Sequence, residues 1–536
     1  MKQLKKLISI SLAAVLLFGC SSENDITDDA KTDDTPAQES LSGEQRTLPV
    51  LSIETQNKDA NVLDFVDLPV SRHVAESITT WNKDYIIPVE PYYETCTVTL
   101  KDSDGKNLLA PAEAQVKVRG NWTTTYDKKP LRIKFTDKQN LLGLNDGAEQ
   151  KNWLLLAEYK DASMLRNKSA LYASREIMKD DGLYAADSDF VSVEINGEYY
   201  GVYLLTEMQQ VSSARVNIAE PAKDYTGTDT GYFLEYDGYF YNEDELHQFS
   251  LDFADNAPLI PFDGEDDKGS YVRCLPMSPS DPKEEVGITI KSTINSQEQH
   301  DFIENFVNNV YRIMYEAAYN DTAYVFDKDF KNISISKDIT PQQAVENVVD
   351  IDSLVDTYII SELTCDADIY WSSFYMDADF SADGKKKLTF EAPWDFDSSM
   401  GNKDRCIDGT GFYASNLVPD VNGGTKGNGE YDTINPWLVV LAHEDWYQSK
   451  IKDKWTKAYD SGVFDRMIKL INKDSTELED EFRNNYRKWN NIIMNSDFVN
   501  ELSEPAKACI NEMQAAEFLA QWLQSRVDFL NSQWHK

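Results

Sequence analysis

Residues 372–402, SSFYMDADFSADGKKKLTFEAPWDFDSSMGN, contain two strand-like runs around a polar loop. The first run is SSFYMD (372–377) and the second is KLTFEAPWDF (387–396). An Asp-Gly dipeptide in the loop between them is a turn signal. The stretch therefore predicts a β-hairpin centred near residue 382.

The second arm of this hairpin ends in two acids placed one residue apart. Alternate residues of a strand share a face. If the extended conformation continues past Trp394, Asp395 and Asp397 lie together on the polar face, opposite the tryptophan. The start of the first arm lies beside the end of the second, so Asp366 and Asp368 are expected close to them.

Carboxylates that converge in this way repel one another unless a cation neutralises them. Oxygen ligands with room for water suit Mg²⁺ or Mn²⁺, which commonly bridge to substrate phosphates. A solvated acidic loop is an equally simple interpretation in an acidic chain. A glycosidase also needs two carboxylates, roughly 5–10 Å apart. Sequence spacing does not separate these alternatives.

Strand patterns dominate the chain from about residue 47. FVSVEINGEYYGVYLLTE (190–207) predicts a hairpin, because Asn196-Gly197 is typical of a type I′ turn between two β-rich runs. Other β-rich runs are ETCTVTL (94–100), AQVKVRG (114–120) and PLRIKF (130–135).

Helical patterns begin with DASMLRNKSALYASREIM (161–178), for which Asp161 or Ser163 can serve as the N-cap. Residues 215–295 are loop-rich and acidic, with few periodic signals. Helical spacing also marks 298–319, 351–365 and much of 432–536. A β-rich first part followed by a helical second part predicts an α+β protein of two lobes.

Length and charge limit the classes of function. The chain has 536 residues, more than one ordinary core organises, and 41% of them are hydrophobic. The formal net charge of −40 opposes sequence-independent binding to nucleic acid, because phosphate repels it. We therefore expect no nucleic-acid partner, and the acid excess is typical of a soluble exported protein.

The N-terminus has the features of a targeting segment. Three lysines among the first six residues precede the apolar run LISISLAAVLLF (7–18), which is too short to span a bilayer. LFGC then resembles a bacterial lipobox, with Cys20 as the lipidated residue. The acidic stretch after Cys20 resembles the surface-export signal of Bacteroidota lipoproteins. We expect an exported lipoprotein, anchored to the outer membrane or cell surface.

Cysteine and histidine usage gives no sign of a zinc site. The whole chain has five histidines and lacks a C-x-x-C motif. Buried or incidental thiols are the simplest interpretation of the cysteines after Cys20, which are Cys96, Cys274, Cys365, Cys406 and Cys509.

The order of charged features along the chain is similar to that of protein kinases. A basic strand (128–134) is followed by a helix and by a hairpin that ends at Glu207. A helical region, Asp368, another hairpin, and the pair Asp395 and Asp397 come next. Kinases place a phosphate-binding lysine, a catalytic Asp and a metal-binding Asp in this order. The G-x-G-x-x-G, H-R-D and D-F-G motifs are missing, so the order alone is only suggestive.

Four stretches together resemble the CotH family of spore-coat-protein-H-type atypical kinases. RGNWTTTYDKKPLRIKF (119–135) is similar to its R-G-N…K-K-P-x-R-I-K signature, and WLLLAEYKDASMLRN (153–167) to its W-x-L-x-A…D-x-S-x-x-R-N block. NGEYYGVYLLTE (196–207) and PWDFDSSMGN (393–402) are similar to two further motifs, in the family's order. The resemblance covers roughly 47–530.

The resemblance implies a divergent two-lobed kinase-like fold and transfer of phosphate from ATP to Ser or Thr of proteins, with Mg²⁺ or Mn²⁺. It places Asp368 at the catalytic position, where it also helps to hold metal, and makes Asp395 and Asp397 metal ligands, Asp395 being catalytic as well. The candidate nucleotide-binding residues are Arg119, Asn121, Lys129 or Lys134, Arg166 and Glu207.

One departure from the family pattern leaves a second function open. Members place an Asn five residues after the catalytic Asp, as a metal ligand, and this chain has Ser373, a weaker ligand. The alternative is a catalytically inactive, kinase-like surface binding or adhesion lipoprotein. The expected organisation is a signal peptide (1–19), an acidic tether (20–46), a β-rich lobe (47–210) and a mainly helical lobe (211–536) with the catalytic hairpin (366–402) and C-terminal helices (432–536).

Overall fold

Seven strands of the N-terminal part close into a barrel in the order β1-β2-β3-β4-β5-β7-β6. Strand β1 pairs antiparallel with β2 and parallel with β6, and this parallel pair completes the closure. The β-rich character was predicted, but local sequence patterns do not show that the sheet closes. The strands are β1 (Val50–Thr55), β2 (Glu94–Lys101), β3 (Asn107–Val118), β4 (Leu131–Gln139), β5 (Gln150–Leu156), β6 (Ser188–Ile195) and β7 (Glu198–Glu207).

The structure is a computed structural model, and it describes residues 47–56, 64–251, 258–263, 286–416, 418–419 and 432–536. The expected signal peptide, the lipidated Cys20 and the tether lie outside the described residues, as does Cys274. The described cysteines, Cys96, Cys365, Cys406 and Cys509, are free thiols. Among the helices of the described ranges, none is both long and apolar enough to cross a bilayer.

Alternation in the strands divides the barrel into two faces. Inward-facing Ile53, Val98, Ile133 and Trp153 are fully buried and form a core inside the barrel. The outward faces of β5, β6 and β7 are also apolar and pack into the large core of the C-terminal part. The barrel is therefore attached to the rest of the chain by a buried side.

The predicted hairpin at 190–207 is confirmed. Ile195 pairs with Glu198, and the two residues between them, Asn196 and Gly197, have φ of 53° and 80°. Positive φ at both central positions defines the type I′ turn that Asn-Gly favours.

A second, five-stranded sheet has the order β14-β13-β8-β10-β9 and contains the predicted hairpin near residue 382. In that hairpin, Met376 pairs with Phe390 and Asp377 with Thr389. Three of its strands fall in 215–295, where the sequence showed few periodic signals. The strands are β8 (Gly231–Asp237), β9 (Gln248–Phe249), β10 (Gly287–Ile290), β13 (Phe374–Asp379) and β14 (Thr389–Phe390), and a separate pair is β11 (Tyr324–Phe326) with β12 (Ile333–Ile335).

The helices within 297–320, 351–364 and 445–534 agree with the periodic patterns of the sequence, whereas those at 72–81 and 341–348 were not predicted. Ser296 caps α3, accepting a hydrogen bond from the backbone N–H of Gln299, and Thr340 and Gln343 form a capping box on α4. The longer helices are α1 (Arg72–Trp81), α2 (Arg166–Met178), α3 (Gln297–Asn320), α4 (Pro341–Val348), α5 (Ile351–Thr364), α6 (Asp445–Asp460), α7 (Val463–Glu477), α8 (Glu479–Trp489) and α9 (Glu512–Trp534).

Helix α2 begins later than the sequence predicts, at Arg166 rather than near Asp161. The carboxylate of Asp161 accepts hydrogen bonds from the backbone N–H groups of Ser163 (2.9 Å) and Arg166 (2.8 Å). Asp161 therefore satisfies the first N–H of the helix from within a preceding turn. That turn, which ends β5 and starts α2, carries several residues of the candidate site.

Candidate functional site

The chain turns sharply where the acids of the second hairpin arm lie. Strand β14 ends at Phe390, Asp395 has a left-handed backbone (φ 71°, ψ 51°), and Phe396–Ser398 form one turn of 3₁₀ helix. The expectation that the strand continues past Trp394 is therefore wrong. Trp394 and Phe396 are both buried, and the turn, rather than strand alternation, sets the directions of Asp395 and Asp397.

Three carboxylates meet at this turn. Asp368, Asp395 and Asp397 each contribute an oxygen, and these oxygens lie within 4.8 Å of one another. Asp368 belongs to the turn after α5, where its carbonyl oxygen accepts hydrogen bonds from the N–H groups of Trp371 (2.8 Å) and Ser372 (2.9 Å). The structure thus brings together the acids that the hairpin argument placed side by side.

Asp366 lies behind this cluster. Its carboxylate accepts hydrogen bonds from the backbone N–H of Asp368 (3.3 Å) and the hydroxyl of Ser399 (3.4 Å), and the side chain is almost fully buried. Burial raises the pKa of Asp366 well above its usual range. These contacts give Asp366 the role of holding the turn of Asp368 against the loop after Asp397.

The electrostatics of the cluster favour a cation. Burial, followed by repulsion from Asp397 and Asp368, raises the pKa of Asp395 to about 7. Burial also raises the pKa of Asp397, against the influence of Lys160. Three convergent carboxylates are hard oxygen ligands of the kind that Mg²⁺ and Mn²⁺ take, so the donor set fits such an ion.

Two basic side chains contact the acid cluster. The ammonium of Lys160 lies 3.5 Å from an oxygen of Asp397, and the guanidinium of Arg405 lies 2.7 Å from an oxygen of Asp368. Sequence reasoning missed both residues. The signal for Lys160 was its place between the apolar end of β5 and Asp161, inside a recognised motif, and Arg405 had no signal.

A small cleft opens beside the acids, between the barrel and the helical part. Arg119, at the end of β3, lines the cleft, and its guanidinium carbon lies 5.9 Å from the ring centre of Trp394. Other residues of its wall are Tyr126, Glu158, Lys160, Asn167, Asp395 and Asp397. Positive groups and carboxylates therefore share one concave surface, as a metal–phosphate ligand requires.

Arg166 binds the backbone of the loop that follows the acids. Its fully buried guanidinium pairs with Asp161 (2.5 Å) and donates to the carbonyl oxygens of Ser399 (3.1 Å) and Met400 (3.3 Å). Arg166 was a candidate for the phosphate region. In this structure it positions the loop, which is the salt-bridge role typical of a buried arginine.

Two lysines of the basic strand are engaged with backbone. The ammonium of Lys128 is fully buried and donates to the carbonyl oxygens of Ala157 (2.8 Å) and Val202. That of Lys129 donates to the carbonyl oxygen of Thr124. These hydrogen bonds of Lys128 join the loop after β3 to the end of β5 and to β7.

Four other candidates lie in varied surroundings. Lys134 is exposed on the outer face of β4, and Asn121 is exposed before the 3₁₀ turn Trp122–Thr125. Glu207 is buried and paired with Arg215 at 3.0 Å, which is a structural arrangement.

The fourth, Ser373, is buried with φ of 63°, and its backbone N–H donates to a carboxylate oxygen of Glu235 at 3.1 Å. Of these candidates, the structure brings none into the acid cluster.

Comparison with protein-family models gives a match. The family described as CotH kinase protein matches residues 116–530, which include the barrel strands from the end of β3 onward, the acid cluster and most of α9. A search of curated proteins found no match. Because the family match spans well over half of the sequence, the chain belongs to the CotH kinase family.

Proposed function

We propose that this protein is an ATP-dependent protein kinase that transfers phosphate to Ser or Thr of exported or surface proteins with Mg²⁺ or Mn²⁺. The observation that carries the proposal is the cluster of Asp368, Asp395 and Asp397. It lies beside a cleft whose lining includes Asp395, Asp397, Lys160 and Arg119. Phosphoryl transfer is catalysed mainly by positioning and by neutralising charge, and these groups are suited to both.

Each residue then has a defined task. Asp395 and Asp397 would hold the divalent ion, which neutralises charge on the nucleotide phosphates. Asp368 would orient the acceptor hydroxyl and accept its proton, and Lys160 and Arg119 would contact phosphate oxygens. Lys160 thereby takes the role that the sequence assigned to Lys129 or Lys134.

The two parts of the chain fit a divergent two-lobed kinase arrangement. The barrel would serve as the N-terminal lobe, and the helical part, with the second sheet, as the C-terminal lobe. In support, the cleft is lined by Arg119 and Glu158 from the barrel side and by Asp395 and Asp397 from the other.

From the N-terminal signals we infer an acceptor outside the cytoplasm. A lipid on Cys20 would tether the enzyme to the outer membrane or cell surface, so its substrates would be proteins of the same compartment. Replacement Cys20→Ala should release the protein from the membrane fraction. Retention of the Cys20→Ala protein in membranes would contradict the lipid anchor.

Transfer of labelled phosphate tests the function directly. The purified chain, incubated with labelled ATP and Mg²⁺ or Mn²⁺, should label itself or a generic protein acceptor. Asp368→Ala and Asp395→Ala should each reduce labelling by about 100-fold or more. Asp137→Ala, an exposed acid on β4, is the matched control and should retain full labelling. Equal labelling by all variants would overturn the assignment of these residues.

Ser373 favours the second candidate, a surface binding module without turnover, because a serine hydroxyl is a weaker metal ligand than an amide. A thermal-shift scan with ATP and metal tests nucleotide binding. A ligand at about 100 times its Kd stabilises the native state by about 2.7 kcal/mol. Absence of any shift would favour the binding module, and a shift without transfer would indicate an inactive kinase-like protein.

A further inference from the structure

The ammonium of Lys160 lies where it competes with a metal ion for the carboxylate of Asp397. Its ammonium lies 3.5 Å from Asp397, and both side chains are about nine-tenths buried, with 11% and 9% exposed. Burial alone lowers the pKa of Lys160. The carboxylates of Asp397, Asp368 and Asp395 raise it by more, so the pKa is raised overall and the ammonium stays charged. Asp397 therefore already has a cation beside it.

Of the other cations near the cleft, Arg119 faces the ring of Trp394 and three more have fixed partners. Lys128 donates to two carbonyl oxygens, Arg166 pairs with Asp161, and Lys403 lies 3.7 Å from Glu501. Lys160 has no other carboxylate within ion-pair distance among the described residues. Its side chain is thus the cation whose partner changes when Asp397 binds a metal ion.

The backbone of Lys160 is held in place by a hydrogen bond from Asn402. The side-chain amide of Asn402 donates to the carbonyl oxygens of both Lys160 (3.0 Å) and Asp397 (2.7 Å). Four methylene groups separate this anchored backbone from the ammonium. A change of side-chain rotamer would therefore move the charge from Asp397 toward the cleft that Lys160 lines, with both main chains in place.

A buried ammonium without an anion is costly, so its release from Asp397 requires another anion. The phosphates of a nucleotide in the cleft provide one. We propose that Lys160 is a counter-ion that exchanges between Asp397 and nucleotide phosphate, so that metal binding to Asp397 depends on the nucleotide. This inference rests on the proposed nucleotide site.

Reciprocity makes the coupling measurable in both directions, and couplings of this kind are typically 5- to 150-fold. The probe is Mn²⁺ added to the full chain without nucleotide, with free Mn²⁺ followed by electron paramagnetic resonance. Lys160→Met should bind Mn²⁺ about 10-fold more tightly than the wild type. In EDTA, the same variant should bind ADP about 10-fold more weakly, because the phosphates lose their partner.

Two control variants accompany Lys160→Met: one keeps the charge at this position, and the other removes a lysine elsewhere on the surface. Lys160→Arg keeps the charge and should retain weak Mn²⁺ binding. Lys138→Met removes an exposed lysine of β4 and should change neither affinity. Should Lys160→Met fail to fold, Lys160→Arg and wild-type protein still decide the question, because both must bind Mn²⁺ more tightly in the presence of ADP, after correction for the Mn²⁺–ADP complex.

The outcomes separate this inference from the kinase assignment. Equal Mn²⁺ affinity in wild type and Lys160→Met, with ADP binding intact, overturns the exchange and leaves the kinase proposal standing. Tighter Mn²⁺ binding by Lys160→Met with weaker ADP binding supports the exchange, even if no phosphate is transferred. A wild type that binds neither Mn²⁺ nor ADP overturns both.

Discussion

Asn402 joins Asp397 to Lys160 through a single side-chain amide, which donates hydrogen bonds of 2.7 Å and 3.0 Å to their carbonyl oxygens. Asn402 is fully buried, and both hydrogen bonds lie in the protein interior. One residue therefore sets the separation of the two chain segments that carry the proposed metal ligand and its counter-ion.

Asn402→Ala should destabilise the protein and weaken metal binding together. Loss of the amide leaves two buried acceptors without a donor, and we expect the free energy of unfolding to fall by about 2–3 kcal/mol. Urea denaturation and Mn²⁺ titration measure the two effects. Asn320→Ala, at the exposed end of α3, should change stability by less than about 0.5 kcal/mol. Unchanged stability of Asn402→Ala would show that the amide does not join the segments.

The buried pair of Arg526 and Glu362 gives a second prediction. The two side chains are fully buried and 2.6 Å apart, and Glu362 also accepts the backbone N–H of Tyr413 at 2.7 Å. Arg526→Met leaves the Glu362 carboxylate unpaired and should cost about 3–5 kcal/mol.

A double-mutant cycle tests the cause of that loss. Arg526→Met with Glu362→Gln keeps an acceptor for Tyr413 but removes the unpaired charge, so it should be more stable than Arg526→Met alone. Strict additivity of the two substitutions would contradict a direct ionic coupling.

Asp377 and Glu391 predict a pH dependence of stability. Both are buried, and burial raises the pKa of Glu391 to about 7 and that of Asp377 well above its usual range. The charged groups that face them are Lys385 and Asp350. Since the folded state binds more protons than the unfolded state, stability should fall as pH rises from about 4.5 to about 7, by up to about 3 kcal/mol for Glu391.

Asp377→Asn removes the like-charge neighbour and should flatten this decline. Unfolding curves of wild type and variant at pH 5, 6.5 and 8 measure it, and the stability of the variant relative to wild type should increase with pH. Parallel dependences of the two proteins on pH would show that this carboxyl pair does not titrate in that window.

Gly201 lies where the barrel touches α8. A Cβ there would be 2.8 Å from both Asn485 Oδ1 and Trp489 Nε1, side chains that hydrogen-bond the backbone on either side of Gly201. Gly201→Ala should therefore destabilise the protein. Gly182 also has a positive φ but has open space around it, so Gly182→Ala measures backbone strain alone. We expect Gly201→Ala to cost about 1–3 kcal/mol more in thermal or urea unfolding. Equal costs would indicate that α8 moves aside.

Local periodicity explains which elements the sequence could predict. The hairpin around Asn196-Gly197 and helices α3 and α5 carry strong short-range signals. Strand β8 does not, because all seven of its residues are buried and so do not alternate between apolar and polar. Closure of the barrel rests on the parallel pairing of β1 with β6, which joins segments far apart in sequence.

The residues of the candidate site also divide into those with a local sequence signal and those that depend on contacts between distant segments. Asp368, Asp395 and Asp397 were predictable from a hairpin and a motif, although the left-handed turn at Asp395 was not. Lys160 lies inside a recognised motif, but its ion pair with Asp397, like that of Arg405 with Asp368, depends on how β5 and the loop after the acids fold together.

The most direct test of the proposed metal–nucleotide site is a crystal structure with Mn²⁺ and a non-hydrolysable ATP analogue, in which anomalous scattering locates the metal. We predict a manganese peak within about 2.5 Å of oxygens of Asp395 and Asp397, with the analogue's phosphates beside Lys160. Manganese and nucleotide bound elsewhere, or a cleft that stays empty at saturating concentrations of both, would contradict the assignment.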